Sequence, residues 1–122
     1  MKNLLILATV LLTFQVANAQ SAKSAASNHV FVMCDSYGSP TTLYGQAYYI
    51  SFYSTGKVIM LCGRDLSSAI KNGATKTGTW SSSDKSLWFT WSDGKRSEAF
   101  TLDINSGNFS SGSVLLKDLG GF

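Results

Sequence analysis

From Gly78 to Leu102 the chain reads GTWSSSDKSLWFTWSDGKRSEAFTL, three short β-branched and aromatic runs divided by two tight polar turns. No other stretch limits the fold as strongly, because runs this short and this closely punctuated suit antiparallel strands and leave no room for a parallel crossover. Ser86 to Ser92 is the clearest strand, with Leu87, Phe89 and Trp91 on one face and Trp88, Thr90 and Ser92 on the other. Asp93-Gly94 predicts a two-residue hairpin turn of type I′, which needs positive φ at both central residues. Glu98 to Ile104 then alternates, placing Phe100, Leu102 and Ile104 together.

The same rhythm extends in both directions. His29 to Cys34, Gln46 to Tyr53, Lys57 to Cys62, Thr75 to Trp80 and Phe109 to Leu116 all read as strands, with a turn or loop from Asp35 to Thr42, which carries Gly38 and Pro40, and turns at Ser54-Thr55-Gly56 and Asn105 to Asn108. Val58 to Cys62 is apolar at every position, so both its faces must be covered. Asp65 to Gly73 breaks the alternation: Asp65 suits an N-cap, Leu66 and Ile70 stand one helical turn apart, and Asn72-Gly73 suits a left-handed stop. The glycine-rich tail from Lys117 to Phe122 fits no element. The expected fold is all-β: a six- to seven-stranded antiparallel meander forming a small barrel or sandwich, with one short helix near 65–72 acting as a lid packed by Leu66 and Ile70.

Residues 1–19, MKNLLILATVLLTFQVANA, have a basic start at Lys2, an apolar centre and a small-residue end at Ala17-Asn18-Ala19, the pattern of a secretory signal peptide. Residues 20–28 (QSAKSAASN) read as a flexible leader, and 29–122 as a single β domain. The expected location is therefore secreted or periplasmic, with no membrane insertion of the mature form. Ten basic residues face seven acidic ones, and removal of Lys2 lowers the formal net charge of +3 by one. The remaining basic residues are scattered, which excludes the basic face a nucleic-acid partner would need.

Two cysteines in an exported chain, Cys34 and Cys62, point to one disulfide, a crosslink that in the chain-entropy model stabilises by about 3 kcal/mol. A metal site is not expected, since only His29 is available to join the two thiols where zinc takes four ligands, and no cofactor is implied. Catalysis is disfavoured on the same inventory. His29 sits at the leader's edge, the serines cluster in turns such as Ser81-Ser82-Ser83, and most acids occupy turns or caps. A carboxylate-dependent hydrolase, with Glu98 as its strand-borne acid, is the enzymatic alternative.

Binding is the better expectation. Trp80, Trp88, Trp91, Tyr48, Tyr49 and Tyr53 exceed what so small a core requires. If Phe89 and Trp91 face inward, Trp88 faces outward and can form a stacking platform with Tyr49 or Tyr53, beside Ser92 and the Asp93-Gly94 turn. The alternative is that the 65–73 helix or the C-terminal tail covers Trp88. Candidate binding residues are thus Trp88, Ser92, Asp93, Gly94, Tyr49 and Tyr53.

Gly78-Thr79-Trp80, Leu87 to Trp91, Asp93-Gly94 and Phe100-Thr101-Leu102 together resemble the pattern of bacterial secreted lipocalin-like domains. That resemblance implies a small barrel holding an apolar ligand. Trp88 to Gly94 is also similar in spacing to the aromatic-x-x-x-Thr-Lys-Gly segment of periplasmic inhibitors of c-type lysozyme, with Thr77-Gly78 matching their upstream Ser-Gly and Asp93 standing in the lysine's place. This second resemblance implies a polar loop inserted into an enzyme cleft. The expected function is a secreted, non-enzymatic β domain that binds a ligand or an extracellular protein partner, with inhibition of a secreted hydrolase such as lysozyme as the alternative.

Overall fold

A computed structural model describes residues 20–122; the signal-peptide assignment of residues 1–19 lies outside them. The described chain runs α1 (Ala22–Ala26), β1 (His29–Cys34), β2 (Thr42–Leu43), β3 (Gln46–Phe52), β4 (Lys57–Gly63), α2 (Leu66–Asn72), β5 (Ala74–Ser83), β6 (Ser86–Trp91), β7 (Phe100–Leu102), β8 (Phe109–Ser111) and β9 (Val114–Gly121). From β3 to β9 each strand pairs antiparallel with the next, and β1 closes the circle by pairing with β9 on one side and β3 on the other. The result is a closed eight-stranded barrel, with β2 as a ninth strand paired to β3 alone.

Barrel, not sandwich, is therefore the architecture, with more strands than expected. The run read as one strand, Phe109 to Leu116, is folded back on itself at Gly112, whose φ of 57° makes the turn between β8 and β9. The glycine-rich tail, unassigned from sequence, continues β9 and holds β1 across a bulge between Val30 and Phe31. The Asp93-Gly94 turn also differs from type I′. Gly94 has φ of 89° while Asp93 stays negative, and Gly94 N–H donates to Trp91 C=O while Trp91 N–H donates to Lys95 C=O, a type I turn ending in a glycine bulge.

Alternation fills the barrel with rings. Phe31, Phe52, Trp80, Phe89, Trp91, Phe100 and Phe109 point inward among Ile50, Val58, Leu87, Leu102 and Leu116, so the tryptophans at 80 and 91 belong to the core. Phe31 meets Phe52 and Phe109 edge-on at 5.7 and 5.5 Å, and Phe89 stacks on Phe100 at 5.8 Å. The Trp80 indole N–H donates to the Tyr53 carbonyl at 2.8 Å, satisfying the one polar group that ring carries. Gly78 admits this packing: a Cβ there would lie 2.2 Å from the Thr90 carbonyl oxygen on β6.

Where a flexible leader was expected, residues 22–26 form α1. Ser21 and Ser24 make a reciprocal capping box, Ala22 N–H donates to Asp84 C=O at 2.7 Å, and Ala22, Ala25 and Ala26 are buried against the barrel core. Alanine's lack of bulk makes the segment look featureless in sequence and lets the helix lie flush against the barrel end.

The 65–72 helix is present as α2. The Asp65 carboxylate accepts from Ser68 N–H at 2.8 Å, which lowers its pKa, and Gly73 ends the helix at φ of 82°. Its buried contact is Ala69, not Ile70, which is 61% exposed; Leu66 is half-buried. Gly63 lets α2 approach β4 closely, since a Cβ there would lie 2.5 Å from Ala69 N. Together with Val30, Val32, Cys34, Ala47, Tyr49 and Leu61, Ala69 makes a second apolar layer outside the barrel, which explains why β4 is apolar on both faces.

The expected disulfide is not formed: Cys34 and Cys62 are both free. The pleat separates them. Cys34 shares the outward row of Val30 and Val32 and packs in the outer layer, whereas Cys62 shares the inward row of Val58 and Met60. The Cys62 thiol donates to Gln46 Oε1 at 3.4 Å, and burial pushes the Cys34 thiol above its ordinary pKa.

Two outcomes follow. In protein purified without reductant, a thiol reagent titrates Cys62 in the native state and both thiols in urea; no free thiol in urea would restore the disulfide. Gly78→Ala costs about 1–3 kcal/mol or more, lowering the melting temperature by roughly 4–8 °C per kcal/mol, and an unchanged melting temperature would contradict the β5–β6 packing.

Candidate functional site

The residues singled out from sequence fall in three places. Trp88 does face outward from β6, opposite Ser81, and α2 does not cover it, because α2 packs on β4. Instead the Arg96 guanidinium lies 5.3 Å from the centre of its ring, held near by the bridge between Thr90 and Arg96. Ser92, Asp93 and Gly94 form an exposed turn whose Asp93 carboxylate accepts from Lys95 N–H at 2.9 Å. Tyr49 and Tyr53 lie elsewhere, since β4 and β5 separate β3 from β6. The structure therefore does not assemble a Trp88–tyrosine platform.

Tyr49 is buried in the outer layer beneath α2, and that burial, with a smaller contribution from the Asp65 carboxylate, pushes its phenol above the usual pKa. Tyr53 is half-buried at the edge of a groove that the sequence did not reveal. This groove, of about 480 Å³, runs over the outside of the barrel. Its floor is Val30 of β1, Ser51 of β3 and Ile59 and Leu61 of β4. On one side stand Leu66 and Ile70 of α2, and on the other Tyr53, Leu119 and Phe122.

Each wall has a specific anchor. Phe122 N–H donates to the Asn28 carbonyl at 2.8 Å and its ring meets Tyr53 edge-on at 5.0 Å, so the end of the chain is tied against β3. The facing wall is fixed by the cap at Asp65 and by Ala69 pressed on Gly63. Three large apolar side chains remain exposed along the rim: Ile70 at 61%, Phe122 at 59% and Leu119 at 44%. None of the side chains that line the groove is charged. Ser51, a buried polar residue, supplies a hydroxyl on the floor.

No histidine, aspartate or glutamate side chain lines the groove beside Ser51. His29, which the sequence placed at a doubtful edge, is ordered in β1, and its Nδ1 lies 2.9 Å from Asp118 Oδ1; that carboxyl oxygen also accepts from Gly120 N–H. Glu98 lies outside any strand, exposed, with the Ser111 hydroxyl donating to it at 3.5 Å. Among the described residues no three side chains of His, Cys, Asp or Glu gather in a way that would hold a metal ion, and no helix is long and apolar enough to cross a membrane.

Two sequence signals bear on the groove: the doubly apolar strand Val58 to Cys62, and the helix carrying Leu66 and Ile70 one turn apart. Neither locates its far wall, which comes from the unassigned tail. No protein-family model, no curated protein and no solved structure matches this chain.

Proposed function

We propose that this protein is an exported, non-enzymatic binding module that holds a small uncharged apolar molecule in the groove between α2 and the C-terminal end of β9. The observation that carries this reading is the groove itself: about 480 Å³, walled by aliphatic and aromatic side chains and with no charged side chain in its lining. That volume falls within the range of roughly 300–1,000 Å³ typical of small-ligand pockets. A charged ligand would have to be desolvated there without a counter-charge, which is unfavourable. The Ser51 hydroxyl and the Tyr53 phenol are the polar groups at hand, suited to orienting one hydroxyl or carbonyl of the ligand. The barrel interior below its open end is filled by rings and is the less suitable place.

A second reading has an observation of its own. The Ser92-Asp93-Gly94 turn lies at the same end of the barrel as the loop after β1 and the β2–β3 turn, where Tyr37 and Tyr44 are 93% and 97% exposed. Tyr44 holds φ of 53°, an uncommon conformation for a bulky residue. Such projecting aromatics suit insertion into a partner's cleft, as an inhibitor of a secreted hydrolase such as lysozyme would require. Slowed cell-wall lysis by lysozyme that is relieved in Tyr44→Gly supports that reading, and undiminished lysis at micromolar protein removes it.

For the groove, the test is binding of Nile red, an uncharged hydrophobic dye whose emission rises in apolar surroundings. Ile70→Glu leaves the melting temperature unchanged, because Ile70 is exposed, and weakens dye binding at least tenfold. Trp88→Ala leaves binding as it was. Wild-type affinity in Ile70→Glu, or loss of binding in Trp88→Ala, would overturn the assignment.

A further inference from the structure

The end of the barrel away from α1 is an open cup of about 450 Å³ lined by Met33, Tyr48, Met60, Cys62, Thr75 and Lys76. Of His, Cys, Asp and Glu, the cup holds Cys62 alone, too few to hold a metal ion. Its thioethers change that. The described residues contain four sulfur-bearing side chains, Met33, Cys34, Met60 and Cys62, and three of the four line this one cup. Register explains the shared lining: Cys62 stands opposite Tyr48, Met60 opposite Ile50, and Met33 follows Val32, which stands opposite Tyr49. Met33 on β1 and Cys62 on β4 thus flank Tyr48 on the same inward-facing row. Met60 sits one inward step below, about 7 Å along the strand. Unbranched methionine side chains have the freedom to close such a span.

We infer that this cup binds a single soft monovalent metal ion, Cu(I), through the Cys62 thiolate and the thioethers of Met33 and Met60. Thiolate and thioether donors select Cu(I) over harder cations. The Cys62 thiol is half-buried and free of a disulfide, and it donates to the Gln46 amide oxygen at 3.4 Å. Binding forms the Cu–S bond as the S–H proton leaves to solvent; the metal's oxidation state does not change. Charge favours the monovalent ion. Lys76, whose ammonium lies 5.9 Å from the centre of the Trp91 ring, shares the cup. A Cu(I)–thiolate unit is neutral beside that cation, whereas a divalent ion on one thiolate would keep a positive charge and be repelled.

The site is tested by anaerobic competition of the full mature chain against bicinchoninate for Cu(I), with Zn(II) titrated in parallel. The wild-type protein removes one equivalent of Cu(I) from the chelator and takes up no Zn(II). Cys62→Ser lowers the Cu(I) affinity at least a hundredfold, Met33→Leu and Met60→Leu each lower it about tenfold at similar side-chain volume, and Cys34→Ser leaves it unchanged. Failure to compete for Cu(I), preference for Zn(II), or equal loss in Cys34→Ser overturns the assignment. Wild-type affinity in both methionine variants would also overturn it, by reducing the site to one thiol. Matching circular dichroism and melting curves show that each variant is folded when its affinity is read.

Discussion

Everything else in this structure depends on the pairing of β1 with β3. His29 to Val32 lie opposite Tyr49 to Phe52, and β9 completes the other side of β1, so a long meander that would otherwise end in two open edges closes into a barrel. Eight strands enclose an interior just wide enough for side chains to fill. In this chain seven aromatic rings fill it, and α1 covers one end. Edge-to-face contacts among Phe31, Phe52 and Phe109 then tie β1, β3 and β8 together through the centre, each pair worth about 0.5–1.5 kcal/mol beyond its buried area.

Closure also decides what is left for function. With its lower interior occupied, the barrel offers its outer surface and its open end. Outside, the doubly apolar faces of β3 and β4 need a cover, and α2 gives only a partial one: Ala69 closes down on Gly63 while Leu66 and Ile70 overhang. The proposed ligand groove is the uncovered remainder, and its far wall exists because the Leu119 to Phe122 segment is drawn across by the β9–β1 pairing and the Asn28 carbonyl. At the open end the inward rows of β1 and β4 finish in sulfur side chains, with Tyr48 of β3 between them. The two proposed sites therefore sit on opposite faces of the same strands, which is also why Cys34 and Cys62 do not meet.

What the sequence made legible was periodicity and local stops. β3 and β6 were recognisable by alternation, β1 by its β-branched and aromatic residues, β4 by its unbroken apolar run, α2 by its Asp65 cap and Gly73 stop, and the inward direction of Phe89 and Trp91 followed from their spacing. Pairing over distance was not legible. The thiols of Cys34 and Cys62 looked like bridge partners until register placed them on opposite faces, and Trp88 and Tyr49 looked like neighbours until β4 and β5 came between them. α1 escaped because alanine and serine carry no helical moment, and β9 because Gly120 and Gly121 obscure a strand that a bulge accommodates. The groove draws on five separated segments, so no local pattern could announce it.

On this account an apolar ligand binds outside a closed, ring-filled barrel. Methyl-resolved NMR of the isotope-labelled protein during titration with an uncharged hydrophobic ligand tests that most directly. The groove methyls of Ile59, Leu61, Leu66 and Ile70 are predicted to shift in step with occupancy, while those of Leu87, Leu102 and Leu116 inside the barrel stay in place. Shifts concentrated on the interior methyls, with the groove unmoved, would contradict it.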